Sequence, residues 1–141
     1  MVDFLGQMSD PGGQRQSKSA RLWALDIAGD ARDGVRMLVV RGRLGVAGSA
    51  GLAAVVTEEL RSRKAPILID LEGVDYMSSA GLLVLQQAAA TARERDVRLA
   101  LCSLPEPVRL AFDLAGLLGE FRIEASRDAA VSALAAGSGH R

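Results

Sequence analysis

Apolar residues recur in two rhythms along this chain, and the change of rhythm marks its elements. Trp23-Ala24-Leu25-Asp26-Ile27 and Val35-Arg36-Met37-Leu38-Val39-Val40 have strand character. Asp30-Ala31-Arg32-Asp33-Gly34 between them is turn-forming, so the three predict a hairpin. Leu52 to Arg63 reads as a helix, with Leu52, Val55, Val56 and Leu60 at core spacing. After Pro66, Ile67-Leu68-Ile69-Asp70-Leu71 is a short, nearly continuous apolar run, as expected of a central strand buried on both faces. Ala80 to Arg95 has a strong helical period, and Val97 to Cys102 predicts another strand. Pro105 to about Ala115 predicts a helix, with Pro107 tolerated in its first turn. Phe121 to Glu124 reads as an edge strand; Ser126 caps a final helix from Arg127 to about Ala136, stopped by Gly137. Strands alternating with helices predict an α/β fold. It is a single domain with a mixed β-sheet of about five strands and about four helices packed on it.

Composition narrows the function. The chain has 141 residues, enough for one domain, and 49% of them are apolar. Residues 1–20 are polar and contain Asp10-Pro11-Gly12-Gly13, so they read as a flexible arm; 21–137 form the domain and 138–141 a disordered tail. Seventeen Lys and Arg balance seventeen Asp and Glu, which argues against nucleic-acid binding. No apolar run reaches the roughly 18 residues of a membrane span, and the first residues lack a secretory pattern. A cytoplasmic protein is expected. The single cysteine, Cys102, excludes an internal disulfide and a thiolate metal cage. The only histidine is His140, next to last.

These scarcities weigh on every candidate site. Glycines at 42, 45, 48 and 51 lack the G-x-G of a dinucleotide fingerprint and the Gly-Lys-Ser/Thr ending of a phosphate loop, so they read as a flexible strand-to-helix connection. Asp70, Glu72 and Asp75 are close in sequence but split between a strand and a turn, so no metal site is expected. Ser78-Ser79 stands where a strand gives way to a helix. A serine nucleophile needs a base, and neither His140 nor Lys18 nor Lys64 is placed to serve, so catalysis is not expected and no cofactor is called for. A helix cap and a phosphate-accepting serine remain, and they are compatible. The free N–H groups of a helix's first turn can donate either to a serine oxygen or to a phosphate. Ser-Ala-Gly-Leu occurs at 49–52 and again at 79–82, which suggests a shared capping role at two helix starts.

On the second helix, Leu82, Leu85, Ala89 and Ala92 should face the sheet. Ser79, Leu83, Gln86, Gln87 and Ala90 fall along the opposite stripe, uncharged until Arg93. Depletion of charge on an outward face fits a surface that another protein covers; burial of Leu83 under a neighbouring loop is the plainer alternative.

The stretch ILIDLEGVDYMSSAGLLVL, together with LCSLPEPVRLAFDLAGLLGEFRI, resembles the STAS-domain family of anti-sigma factor antagonists. The likeness runs from about residue 20 to 137. In that family a buried strand and an acidic-hydrophobic turn lead to Asp-Ser-Ser/Thr-Gly-Leu at a helix start. The resemblance implies that Ser79 is the phosphorylated serine, with Ser78 as second choice. It puts Ser78 where the family has Asp, Ala80 where it has Ser or Thr, and Gly45 where it has an acid before the first helix. Together with the uncharged stripe, it leads to an expected partner surface of Ser78, Ser79, Leu83, Gln86, Gln87, Ala90 and Gly45. The implied partners are an anti-sigma factor with serine kinase activity and a serine phosphatase, and a homodimer is left open. The alternative is a STAS subunit without a phosphate cycle, regulating a transporter ATPase or another signalling complex.

Overall fold

The computed structural model describes residues 18–21, 25–62 and 64–136. Strands β2 (Leu25–Arg32) and β3 (Val35–Leu44) are antiparallel and closed by Asp33-Gly34 alone. Both turn residues have positive φ, +54° and +81°. That is the backbone of the type I′ hairpin, whose twist matches that of the strands. The turn is therefore tighter than expected, and Asp30 to Arg32 stay in the ladder. Trp23 and Ala24 lie outside the described residues.

The glycine string is not a flexible connection. Strand β3 runs through Gly42 to Leu44, with a register shift against β4 (Ile67–Met77) between Gly42 and Arg43. Gly42 has φ +108°, so this irregularity is a bulge that glycine permits. Gly45 alone separates the strand from helix α1, Val46–Ser62, which begins six residues before the expected Leu52. Gly48 lies inside that helix, where a Cβ would stand 2.6 Å from the Arg43 carbonyl oxygen. The glycines let helix and strand approach closely. They lower helix propensity, and this hid the first turns of α1 from the periodicity.

Strand β4 is longer than the apolar run Ile67–Leu71, continuing through Met77 in pairing with the end of β3. Helix α2 (Ser79–Glu94), strand β5 (Leu99–Cys102), helix α3 (Glu106–Leu114), a single 3-10 turn (Leu118–Glu120), strand β6 (Arg122–Glu124) and helix α4 (Arg127–Ala136) follow. The Ser126 hydroxyl caps α4, accepting from the Ala129 N–H at 3.1 Å. Strands β3 to β6 are parallel. Backbone pairing of β1 (Lys18–Arg21) with β2 adds a sixth, edge strand, so the last residues of the expected arm join the sheet. Edge pairing uses main-chain groups and leaves little side-chain pattern to read. Residues 1–17 and 137–141 lie outside the described residues.

Helices α1, α2 and α3 cover one face of the sheet and α4 the other. Ile67, Ile69 and Leu71 face the three helices, while Leu68 meets Ala130, Val131 and Leu134 of α4, so β4 is buried on both faces as its apolar run predicts. A forked ion pair ties α1 to β3: Arg36 Nε and Nη2 donate to Glu59 Oε1 and Oε2 at 3.0 and 2.9 Å.

The two Ser-Ala-Gly-Leu segments differ in role. Ser49 is within α1, where its N–H donates to the Gly45 oxygen, and its buried hydroxyl has no partner among the described residues. A buried hydroxyl without a hydrogen bond costs free energy, and alanine has the higher helix propensity. Ser49→Ala is expected to stabilise the protein by about 1 kcal/mol, read from the urea midpoint. A loss of stability would mean that the hydroxyl is bonded in solution.

Candidate functional site

The end of β3 and the start of α2 are clamped together by one carbonyl. Leu44 O accepts the Ser78 N–H at 3.0 Å and the Ser78 hydroxyl at 2.7 Å. The same Ser78 Oγ accepts the Gly81 N–H at 3.2 Å, making Ser78 the N-cap of α2. Gly81 completes the clamp, since a Cβ there would lie 2.7 Å from the Met77 sulfur and 3.2 Å from Leu44 O. Ser78 therefore supplies the capping oxygen, without the charge that an Asp cap would carry.

Ser79 is the first residue of α2 and is exposed. Among the described residues its hydroxyl has no hydrogen-bond partner. No acid lies in the first turn of α2, so nothing there opposes the positive end of the helix dipole. Leu83, Gln86, Gln87 and Ala90 are all exposed, as the helical stripe predicts, and no loop covers Leu83. The inward face is shifted slightly. Gly81, Leu85, Ala88 and Ala92 are buried, while Leu82 and Ala89 are only half-buried.

Gly45 sits beside this helix start, where a Cβ would be 4.0 Å from the Tyr76 ring. Three residues that the periodicity did not single out, Arg43, Val46 and Tyr76, extend the surface beside Leu83. Val46, Tyr76 and Leu83 are 78, 41 and 51% exposed, and the Arg43 guanidinium lies over the Tyr76 ring, 4.2 Å from its centre. Val46 was hidden by the late helix start expected for α1. Tyr76 and Arg43 are brought opposite each other only by the bulged β3–β4 register. The Gln87 and Ala90 end of the stripe borders a 390 Å³ groove between α1 and α2, lined also by Ala53, Thr57, Val84 and Thr91.

The chemistry open to this site is limited. Lys64 donates to the Arg95 oxygen, at the far end of α2. Cys102 is buried, and burial pushes its thiol up to about 11, so it stays protonated near neutral pH. Asp70 is paired with Arg127 rather than with Glu72 and Asp75. Among the described residues there is no group of three or more His, Cys, Asp or Glu placed to hold a metal, and no helix is long and apolar enough to cross a membrane. His140 lies outside the described residues. What stands at this site is an accessible hydroxyl at a helix N-terminus, bordered by an uncharged, partly apolar surface.

Comparison with known proteins agrees with this architecture. The family model of the STAS domain matches residues 27–130, and the chain belongs to that family. It is 33% identical over 104 residues to BtrV of Bordetella bronchiseptica, a protein named as an anti-sigma factor antagonist; the match covers 74% of this chain and 90% of BtrV. The crystal structure of an anti-sigma factor antagonist from Mycobacterium paratuberculosis superposes with a TM-score of 0.69 at 23% identity, covering 78% of this chain and 93% of that one. The anti-sigma factor antagonist SpoIIAA in its unphosphorylated form gives 0.64 at 16% identity, covering 76% and 94%. The phosphorylated form of SpoIIAA, from Bacillus, gives 0.60 at 15% identity, covering 76% and 97%. Likenesses at these identities speak to the fold.

Proposed function

We propose that this protein is an anti-sigma factor antagonist, that it binds an anti-sigma factor with serine kinase activity while Ser79 is unmodified, and that phosphate on Ser79 releases it. The observation that carries this reading is the division of labour in the serine pair. Ser78 spends its hydroxyl on the cap and on Leu44, whereas Ser79 keeps its own free and accessible. A phosphoryl group on Ser79 would bring about −1.5 to −2 charge to a helix end that favours anions, so the fold would survive it. The same charge would stand beside Leu83 and the neutral stripe, where an apposed partner would have to strip its water. Partner contact through Ser78, Ser79, Leu83, Gln86, Gln87, Ala90 and Gly45, widened by Val46 and Tyr76, fits that geometry. A serine phosphatase would restore binding. ATP would belong to the partner, and this chain would be a cytoplasmic regulator without an activity of its own. The names of BtrV and SpoIIAA support the reading, as does the existence of SpoIIAA in both unphosphorylated and phosphorylated forms.

The test is the intact mass of protein purified from its native host, beside that of a Ser79→Ala variant. One phosphoryl group on the parent, absent from the variant, is expected. A second reading, a regulatory module of a transporter ATPase or other complex with no phosphate cycle, is favoured by the absence of acid at Gly45 and in the first turn of α2. It predicts an unmodified Ser79 under every growth condition, and that result would remove the phosphorylation switch.

A further inference from the structure

At the end of the sheet opposite Ser79, where the parallel strands β5 and β6 begin, a 230 Å³ cleft opens between the last turn of α2 and Leu134 of α4. Its apolar lining includes Ala92, Val97, Leu99 and Phe121. Phe121 is held by an edge-to-face contact with Phe112, with ring centres 5.4 Å apart. Three arginines from separate elements also line the cleft: Arg93 on α2, Arg98 just before β5, and Arg122 at the start of β6.

Their partners are few. Arg122 Nη1 donates to Glu124 at 3.0 Å, and Arg98 Nη1 donates to the Leu134 carbonyl. Among the described residues the Arg93 guanidinium has no hydrogen-bond or ion-pair partner, no carboxylate pairs with Arg98, and the Glu120 carboxylate, the one acid lining the cleft, has no cationic partner. A guanidinium carries five N–H donors, so most of those here are uncommitted. A chain that is neutral overall thus gathers three cations against one lining acid beside an apolar floor.

We infer that this cleft binds a small organic anion. Its phosphate or carboxylate group is held by Arg93 and Arg98, and its apolar or aromatic body rests on Leu99 and Phe121. Guanidinium forks match the oxygens of both head groups, and a ring on Phe121 adds stacking that a bare ion cannot use. The cleft is smaller than the roughly 300 Å³ at which drug-sized pockets begin, which limits the body to about one ring. The site is separate from Ser79, so it stands or falls independently of the proposed phosphate switch.

Titration of the ¹⁵N-labelled protein with phenyl phosphate, phenylacetate and inorganic phosphate tests this. Saturable shifts at Phe121, Leu99 and the Arg98 Nε–H are expected from at least one aromatic probe, with a Kd at least about tenfold tighter than for inorganic phosphate. Arg93→Gln, which removes an exposed and unpaired side chain, should weaken that binding at least about fivefold with an unchanged melting temperature. If neither aromatic probe saturates at millimolar concentration, if inorganic phosphate binds as well as they do, or if Arg93→Gln binds like the parent, the inference is overturned.

Discussion

Ser79→Asp is expected to weaken binding to the cognate anti-sigma factor at least about tenfold, a change of about 1.4 kcal/mol, while leaving the domain as stable as the parent or slightly more so. The two halves of this expectation come from one location. A carboxylate in the first turn of a helix interacts favourably with the unsatisfied N–H groups and the dipole, typically by about 0.3–1 kcal/mol. Ser79 is in that turn, exposed, and faces no other acid on α2 there. Binding would bring the same charge against a partner surface that also covers Leu83, 51% exposed, and a stripe without charge up to Arg93. Removing an unpaired charge from water costs far more than the dipole returns. Calorimetric titration gives the affinity and urea unfolding gives the stability. Leu83→Asp serves as the companion variant: it places charge one turn further along the stripe, away from the helix end, and should weaken binding similarly with no gain in stability. Unchanged affinity in both variants would put the partner on another face. Loss of affinity in Leu83→Asp alone would keep the interface and remove Ser79 from it.

How much of this was legible in the sequence depended on whether a residue's role repeats along the chain. The stripe Ser79, Leu83, Gln86, Gln87, Ala90 was readable because helical spacing fixes a face, and the exposed positions are those the period predicts. The nearly continuous apolar run Ile67–Leu71 announced a strand covered on both sides, and it lies between α1 and α2 on one face and α4 on the other. Val46 to Gly51 was not readable as helix, because Gly48 and Gly51 work against helix propensity, and Gly48 is there for close approach to β3. The contact between Arg43 and Tyr76 depends on a register shift that no local pattern encodes. Ser78 and Ser79 were visible as a pair, but which one caps was decided by the position of the Leu44 carbonyl, 34 residues earlier in the chain than Ser78.

Arg127→Ala should produce the largest loss of stability, about 3 kcal/mol. Asp70, on the central strand, is 1% exposed, and its Oδ2 accepts from Arg127 Nε and Nη2 at 2.9 and 2.8 Å. Its other oxygen accepts the Glu72 N–H at 3.0 Å. Arg127 belongs to α4, and the hydrogen bond it donates to Asp70 is the main reason its guanidinium is held above the usual arginine value. The pair is asymmetric in burial, since the Arg127 side chain is 39% exposed. Removing the arginine leaves a buried carboxylate with one partner, whereas removing the acid's charge leaves a cation that can turn to water. Asp70→Asn should therefore cost less, about 1–2 kcal/mol. Equal losses in the two variants would contradict the idea that the buried acid sets the cost. Cys102 gives a local readout of the same event, because it is the only thiol in the chain, is the register partner of Asp70, and is buried under Ala130, Val131 and Leu134 of α4. Its alkylation requires α4 to lift from the sheet or the domain to unfold, so its rate follows the open population. A loss of about 3 kcal/mol should raise the labelling rate of Cys102 by roughly 100-fold in Arg127→Ala. The gain in Asp70→Asn should stay near tenfold. Unfolding without any acceleration of labelling at low urea would show that the ion pair stabilises the whole domain and does not pin α4 in particular.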